Sequence, residues 1–168
     1  GIIGLGYVGL PLALTFAREK FSISGFDLDQ EKINLLNNKK SYIKHISDES
    51  ISSSFNNDNA KFYTSFEDIK NCDGIIICVP TPLSKHRSPD LKYIRDSLER
   101  IKPYLSENKI ISLESTTYPG TTEELLVPLV QDLGFSIGEN FFIVYSPERE
   151  DPGNKSFSTT NIPKVLGG

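Results

Sequence analysis

Methionine is absent from all 168 residues, the first included. The chain starts inside an apolar run, Gly1-Ile2-Ile3, and ends without a polar tail at Leu166-Gly167-Gly168. It is therefore expected to be a domain-sized piece of a longer protein. Cysteine is scarce. Cys72 and Cys78 stand six positions apart, which matches neither a metal-ligand nor a redox spacing. No His/Cys/carboxylate grouping has metal-ligand spacing, so no metal is expected. Long apolar runs are missing as well, and none reaches the ~18–20 residues needed to span a bilayer. No charged n-region precedes an apolar h-region in this stretch. Net charge is small: 18 Lys+Arg against 22 Asp+Glu leave −4, which argues against a nucleic-acid surface or a membrane-seeking patch. No repeat is visible. A reducing cytoplasm is the simplest setting.

With 38% hydrophobic and 24% charged residues, the composition is globular rather than disordered. The length fits one domain over residues 1–168. Strands and helices are expected to alternate along it. Gly1-Ile2-Ile3 reads as a strand, then a helix runs from Leu10 to about Lys20, with Pro11 tolerated near its start. A second strand is expected over Phe21–Phe26. Asp29 caps a helix from Gln30 to about Asn38, with Ile33, Leu36 and Leu35 as candidate inward positions. The polar stretch Ser47–Asn59 carries Ile51 and Phe55 at helical spacing and reads as a short surface helix and loop. Lys61–Thr64 reads as a third, short strand. The β-branched run Gly74–Val79 suits a central parallel strand covered on both faces. Leu91, Ile94, Leu98, Ile101 and Leu105 mark one face of a helix over Asp90–Leu105. Ile110–Leu113 and Phe141–Tyr145 are further strands. Between them Thr121 and Glu124 suggest a capping box, opening a helix over Thr122–Leu133 that Pro128 bends and Gly134 ends.

Strands joined by helical crossovers imply an α/β domain: a doubly wound parallel sheet of Rossmann type with about six strands. Ligands in such sheets bind beyond the carboxyl ends of the strands. There the chain carries Gly4-Leu5-Gly6-Tyr7-Val8-Gly9, a G-x-G-x-x-G between a strand and a helix. The first Gly makes the tight turn, the second lets a diphosphate approach the backbone, and the third lets helix and strand pack closely. The helix N-terminus offers N–H groups to phosphate. Asp27 ends the second strand near the expected distance of ~20 residues. A carboxylate there accepts from ribose hydroxyls and repels a 2′-phosphate, which favours NAD over NADP. Lys32 complicates that choice, either as an exposed helix lysine or as a neighbour of the adenosine. A methyltransferase using S-adenosylmethionine also has a glycine turn and an acid, but lacks the full spacing.

Four segments then occur in order: Gly4–Ala13, Cys78-Val79-Pro80-Thr81-Pro82, Glu114-Ser115-Thr116-Thr117-Tyr118-Pro119-Gly120-Thr121-Thr122, and Ser146-Pro147-Glu148-Arg149. Together they resemble the N-terminal domain of the UDP-glucose/GDP-mannose dehydrogenase family. Lys85–Leu91, Ser115–Glu124 and Ser146–Asn154 look most like the UDP-N-acetylglucosamine 6-dehydrogenases within it. The resemblance implies an enzyme that oxidises a sugar C6 alcohol twice with two NAD. It implies a catalytic Cys and Lys from a later segment, the Cys holding a thioester that water hydrolyses, and a UDP-sugar shared with a further domain. It also implies that the full-length protein is a homo-oligomer. Cys72 and Cys78 do not match the nucleophile position. On the same basis Gly4, Gly6, Tyr7, Val8, Gly9, Asp27, Lys32, Thr81, Pro82 and Thr116 are the expected cofactor contacts. Thr116 also bonds the nicotinamide region or positions water, Glu148 assists hydrolysis, and Glu148, Arg149 and Glu150 meet the nucleotide-sugar. Lys85, His86 and Arg87 form a basic cluster that is either a solvated loop or an approach to phosphate or another domain. His45 reads as structural or solvated. A non-catalytic NAD-binding module is the rival reading.

Overall fold

The computed structural model describes residues 1–56, 59–83, 88–147 and 164–168. Lys85, His86, Arg87, Glu148, Arg149 and Glu150 lie outside the described residues. Six strands form one sheet in the order β3-β2-β1-β4-β5-β6: β1 Ile2–Ile3, β2 Ile23–Phe26, β3 Ala60–Tyr63, β4 Gly74–Ile77, β5 Lys109–Leu113 and β6 Phe141–Tyr145. Every neighbouring pair is parallel. The order reverses between β1 and β4, the place where such sheets open a crevice.

Successive side chains of β1 feed two separate cores. Ile2 joins Leu5, Leu10, Ile33, Ile51 and Phe62 on one face, and Ile3 joins Ile75, Ile77, Ile94 and Leu126 on the other. Helices α1 (Gly9–Arg18), α2 (Gln30–Asn37) and α3 (Asp48–Ser54) line the first face; α4 (Lys92–Ile101) and α5 (Val127–Asp132) line the second. The alternation follows from the period of two along a strand, and covering both faces explains why β4 is almost wholly apolar. Asp29 caps α2 as expected, accepting from the N–H groups of Glu31 and Lys32.

Several boundaries differ from the sequence reading, each for a local reason. Lys20 takes a left-handed turn (φ 67°), so the chain reverses there and β2 starts only at Ile23. Phe21 is left 58% exposed, edge-on to Phe16. Leu35 faces outward while Ile33 and Leu36 are buried. The segment read as a surface helix is anchored more deeply, with Ile51 and Phe55 both in the core. Helix α4 stops at Ile101 and tightens into a 3₁₀ turn over Lys102–Tyr104, because Pro103 has no N–H and its ring clashes with the preceding turn. The capping box does not form. The Thr121 hydroxyl donates to the Tyr118 carbonyl at 2.8 Å, and Glu124 instead accepts from the Tyr118 hydroxyl. Thr122–Leu126 winds as a wide π-helical turn ahead of Pro128, the bend expected from a proline arriving as a change of helix type. Gly134 ends α5 with φ +80°.

Lys109 begins β5 and is only 5% exposed. Its ammonium donates to the carbonyls of Lys70 at 3.0 Å and Cys72, satisfying the end of the turn that precedes β4.

Candidate cofactor site

The carboxyl ends of β1, β2, β4 and β5, the start of α1 and one face of α4 enclose a cleft of about 810 Å³. That is within the ~300–1,000 Å³ typical of small-molecule sites. Gly4, Gly6, Tyr7, Val8, Asp27, Lys32, Thr81 and Thr116 all line it. Two expected residues do not. Gly9 is buried behind the loop, where a Cβ would lie 1.8 Å from the Gly4 carbonyl oxygen. It permits close packing and makes no contact with the cleft. Pro82 is exposed and outside the lining; its carbonyl accepts from the Asp90 N–H at 2.8 Å.

The glycine loop is shaped by tight backbone approaches. Gly4 has φ +88°, and a Cβ there would meet the Cys78 carbonyl oxygen at 2.7 Å. A Cβ on Gly6 would meet nothing within 4 Å. Gly6 therefore borders open space, and it is followed by Tyr7 and Val8, whose amides lie ahead of α1 where N–H groups have no intrahelical acceptor. This hollow, with the positive end of α1 behind it, suits a diphosphate.

Asp27 faces the cleft rather than solvent, with its side chain 13% exposed. Its Oδ2 accepts from the Leu5 N–H at 2.9 Å and pairs with the Lys32 ammonium at 3.3 Å; its Oδ1 accepts from the Asp29 N–H at 3.0 Å. A carboxylate oxygen can take two donors, so Oδ1 keeps a position for a ribose hydroxyl. Lys32 is thus the ion-pair partner of the acid, not an exposed helix lysine.

At the other end of the cleft the exits of β4 and β5 are laced together. The Thr81 hydroxyl donates to the Thr116 carbonyl at 2.6 Å, and the Ser115 hydroxyl donates to the Val79 carbonyl at 2.7 Å. Thr116 is itself exposed at the lip. On the α4 side the Arg100 guanidinium lies 6.0 Å over the Phe66 ring, and both line the cleft.

With this geometry, the comparison with known proteins is decisive. Residues 1–168 match the model of the UDP-glucose/GDP-mannose dehydrogenase family, NAD binding domain. The chain belongs to the UDP-glucose/GDP-mannose dehydrogenase family. Its cofactor is NAD, and the glycine hollow and Asp27 fit that molecule's diphosphate and adenosine ribose. Protein CapL of Staphylococcus aureus is 39% identical over 99% of this chain and 38% of its own length. A UDP-N-acetyl-D-glucosamine 6-dehydrogenase of Salmonella typhi is 38% identical over 99% of this chain and 39% of its own. Among solved structures, the UDP-N-acetyl-mannosamine dehydrogenase Cap5O of S. aureus superposes with TM-score 0.84 at 34% identity, over 90% of this chain and 36% of that one. The chain thus spans about two fifths of the length of the relatives it matches. Among the described residues of this NAD-binding domain, no helix is long and apolar enough to cross a membrane.

Three features of the domain's site have no local sequence signal. His45 is not solitary: its ring stacks on Tyr7 of the glycine loop, with centroids 6.0 Å apart. Glu114, quoted above only as part of a motif, is buried and lines the cleft. Tyr42 reaches back 37 residues to donate its hydroxyl to the Leu5 carbonyl, and the Lys32 ammonium lies 5.9 Å from its ring centroid. Tyr42, itself part of the cleft lining, therefore braces the loop. Burial first, then the charges of Asp27 and Asp29, push its phenol well above the ordinary value of 10.0. The folded state thus favours the neutral phenol. Above pH 10 the unfolded chain gives up this proton while the folded chain keeps it, so the stability present below pH 10 is lost as pH rises. Tyr42→Phe is expected to cost about 1 kcal/mol near neutrality, and the wild-type advantage is expected to shrink in alkaline solution. Denaturant melts of both proteins from pH 7 to 11 check this.

Proposed function

We propose that the full-length protein is an NAD-dependent dehydrogenase that oxidises the C6 alcohol of UDP-N-acetylglucosamine to the uronic acid in two steps. One observation carries the reading: a single cleft joins a diphosphate hollow and a ribose-facing carboxylate to the hydroxyl-laced ends of β4 and β5. NAD bound there supplies the hydride acceptor. The amides of Gly6, Tyr7 and Val8 hold the diphosphate and Asp27 Oδ1 holds the adenosine ribose. The Thr116 hydroxyl serves the reacting end, oriented by the Thr81 bond to its carbonyl. Glu148 acts as the base toward hydrolytic water, while Arg149 and Glu150 bind the nucleotide-sugar together with a further domain. The nucleophilic Cys and its Lys come from that later part. Cys72 and Cys78 are both buried, Cys78 against the glycine loop and Cys72 beside Gly1 and Lys109. Buried thiols fit a reducing cytoplasm. What supports this sugar is the 38% identity to the relative named for it, against 34% to the mannosamine dehydrogenase Cap5O. The full-length protein is proposed to be a homo-oligomer.

The test is turnover by the full-length protein with NAD and each UDP-sugar. Two NADH per UDP-N-acetylglucosamine, with the highest kcat/KM for that sugar, is the expected outcome. A preference for the mannosamine epimer would overturn the substrate. NAD binding without turnover of any UDP-sugar would leave a non-catalytic module. The 168-residue piece by itself is expected to bind NAD weakly and turn nothing over.

A further inference from the structure

Glu114 follows the last residue of β5 and is 5% exposed. A buried carboxylate is costly unless its lone pairs are used and its charge is matched, and here both are. Ser112, two residues earlier on the same side of the strand, donates to Oε1 at 3.0 Å. Ser146 donates to Oε2 at 3.1 Å and the Lys164 ammonium donates to the same oxygen at 2.6 Å. The last two donors come from 32 and 50 residues further along the chain.

Their positions are informative. Ser146 is where the chain leaves β6. Lys164 is where it has returned, since Gly167 and Tyr145 exchange backbone hydrogen bonds of 2.8 and 2.9 Å in an antiparallel bridge. One oxygen of one buried acid therefore holds both the departure and the return. The stretch of sequence between them contains Glu148, Arg149 and Glu150. The backbone that carries Glu114 continues directly into Ser115 and Thr116 at the cofactor cleft. Glu114 lines that cleft itself, and an apolar residue in its place would deprive the buried Ser146 hydroxyl and the Lys164 ammonium of this acceptor.

We infer that Glu114 is a positioning residue. Its carboxylate holds Ser146, two residues before Glu148 in the sequence, and Lys164 at the exit of β5, and so sets the start of the sugar-binding stretch against the cofactor side. This rests on the proposal above that Glu148, Arg149 and Glu150 meet the nucleotide-sugar.

The test uses the full-length enzyme with Glu114→Gln, Lys164→Gln, the double variant and Lys164→Arg. Both single Gln variants are expected to raise KM for the UDP-sugar about tenfold, and in Lys164→Gln, whose side chain is not part of the cleft lining, the NAD dissociation constant is expected to move less than about twofold. The double variant is expected to lose less than the sum of the two singles, and Lys164→Arg to recover most of the loss, because it keeps a cation at the acid. Amide exchange at Tyr145 and Gly167 is expected to quicken about tenfold in Lys164→Gln, with Ile111 and Ile75 unchanged. Equal losses for NAD and sugar in Lys164→Gln, additive single effects, or unchanged exchange at Tyr145 and Gly167 would overturn the inference. If Glu114→Gln does not fold, Lys164→Gln, whose side chain is partly exposed, carries the same comparisons. A wild-type enzyme inert toward every UDP-sugar would refute the proposed function instead, and the exchange measurement would still judge the clasp.

Discussion

Gly6→Ala is expected to weaken NAD binding while leaving the fold intact, and Gly9→Ala, three residues on, to damage the fold first. The two glycines face different things. A Cβ on Gly6 enters open space at the cleft and meets no protein atom within 4 Å. Its melting temperature is therefore expected to stay within about 2 °C of the wild type. The methyl group nevertheless occupies the ground on which a diphosphate must rest, and NAD affinity is expected to fall about 10–100-fold, or roughly 1.4–2.7 kcal/mol. A Cβ on Gly9 would lie 1.8 Å from the Gly4 carbonyl oxygen and 3.0 Å from its carbonyl carbon. Backbone cannot rotate aside, so α1 must lift off β1. Overpacking of this kind is expected to cost about 3 kcal/mol or more and to lower the melting temperature by about 10 °C. Thermal melts and calorimetry on the two full-length variants separate these outcomes. Undiminished NAD binding by Gly6→Ala would mean that the diphosphate lies elsewhere.

Asp27→Asn is expected to weaken NAD and strengthen NADP. The amide keeps an acceptor for the Leu5 N–H, now made at 2.9 Å, so the loop is retained. What is lost is the charge. Hydrogen bonds to charged groups contribute about 1.5–3 kcal/mol, so NAD affinity is expected to drop about tenfold or more. The repulsion of a 2′-phosphate disappears with the carboxylate, and the Lys32 ammonium, held 3.3 Å from it in the wild type, is released to attract that phosphate. The combined change in NAD over NADP preference is expected to approach about 100-fold. Lys32→Ala should act in the opposite direction, sharpening the preference for NAD. Calorimetric titration of each variant with both cofactors measures the shift, and an unaltered preference in Asp27→Asn would remove Asp27 from ribose recognition.

Much of this site was readable residue by residue because its chemistry is local. The G-x-G-x-x-G turn, Asp27 at a strand end, and Thr81 and Thr116 after β4 and β5 are each dictated by neighbours within a few positions. Strand β6 occupies Phe141–Tyr145, the span its sequence predicts, since an aromatic and β-branched run has little else to become. The failures arose where a local pattern met a competing partner. Thr121 and Glu124 had the spacing of a capping box, but Tyr118 offered its carbonyl to one and its hydroxyl to the other. The apolar steps through Leu105 suggested one long helix, and Pro103 cut it short. His45 looked isolated in sequence and stacks on Tyr7 in space.

By itself the sequence determined the alternation of strand and helix, the parallel sheet, the glycine turn and the acid at the end of β2, because backbone sterics and the period of apolar residues act over short separations. Only the tertiary structure decided that Tyr42 braces the loop and that Glu114 gathers Ser146 and Lys164. Those contacts join groups brought together only when the sheet orders β1 between β2 and β4 and packs β6 beside β5, and no spacing along the chain encodes which polar groups will be left facing one another once that has happened.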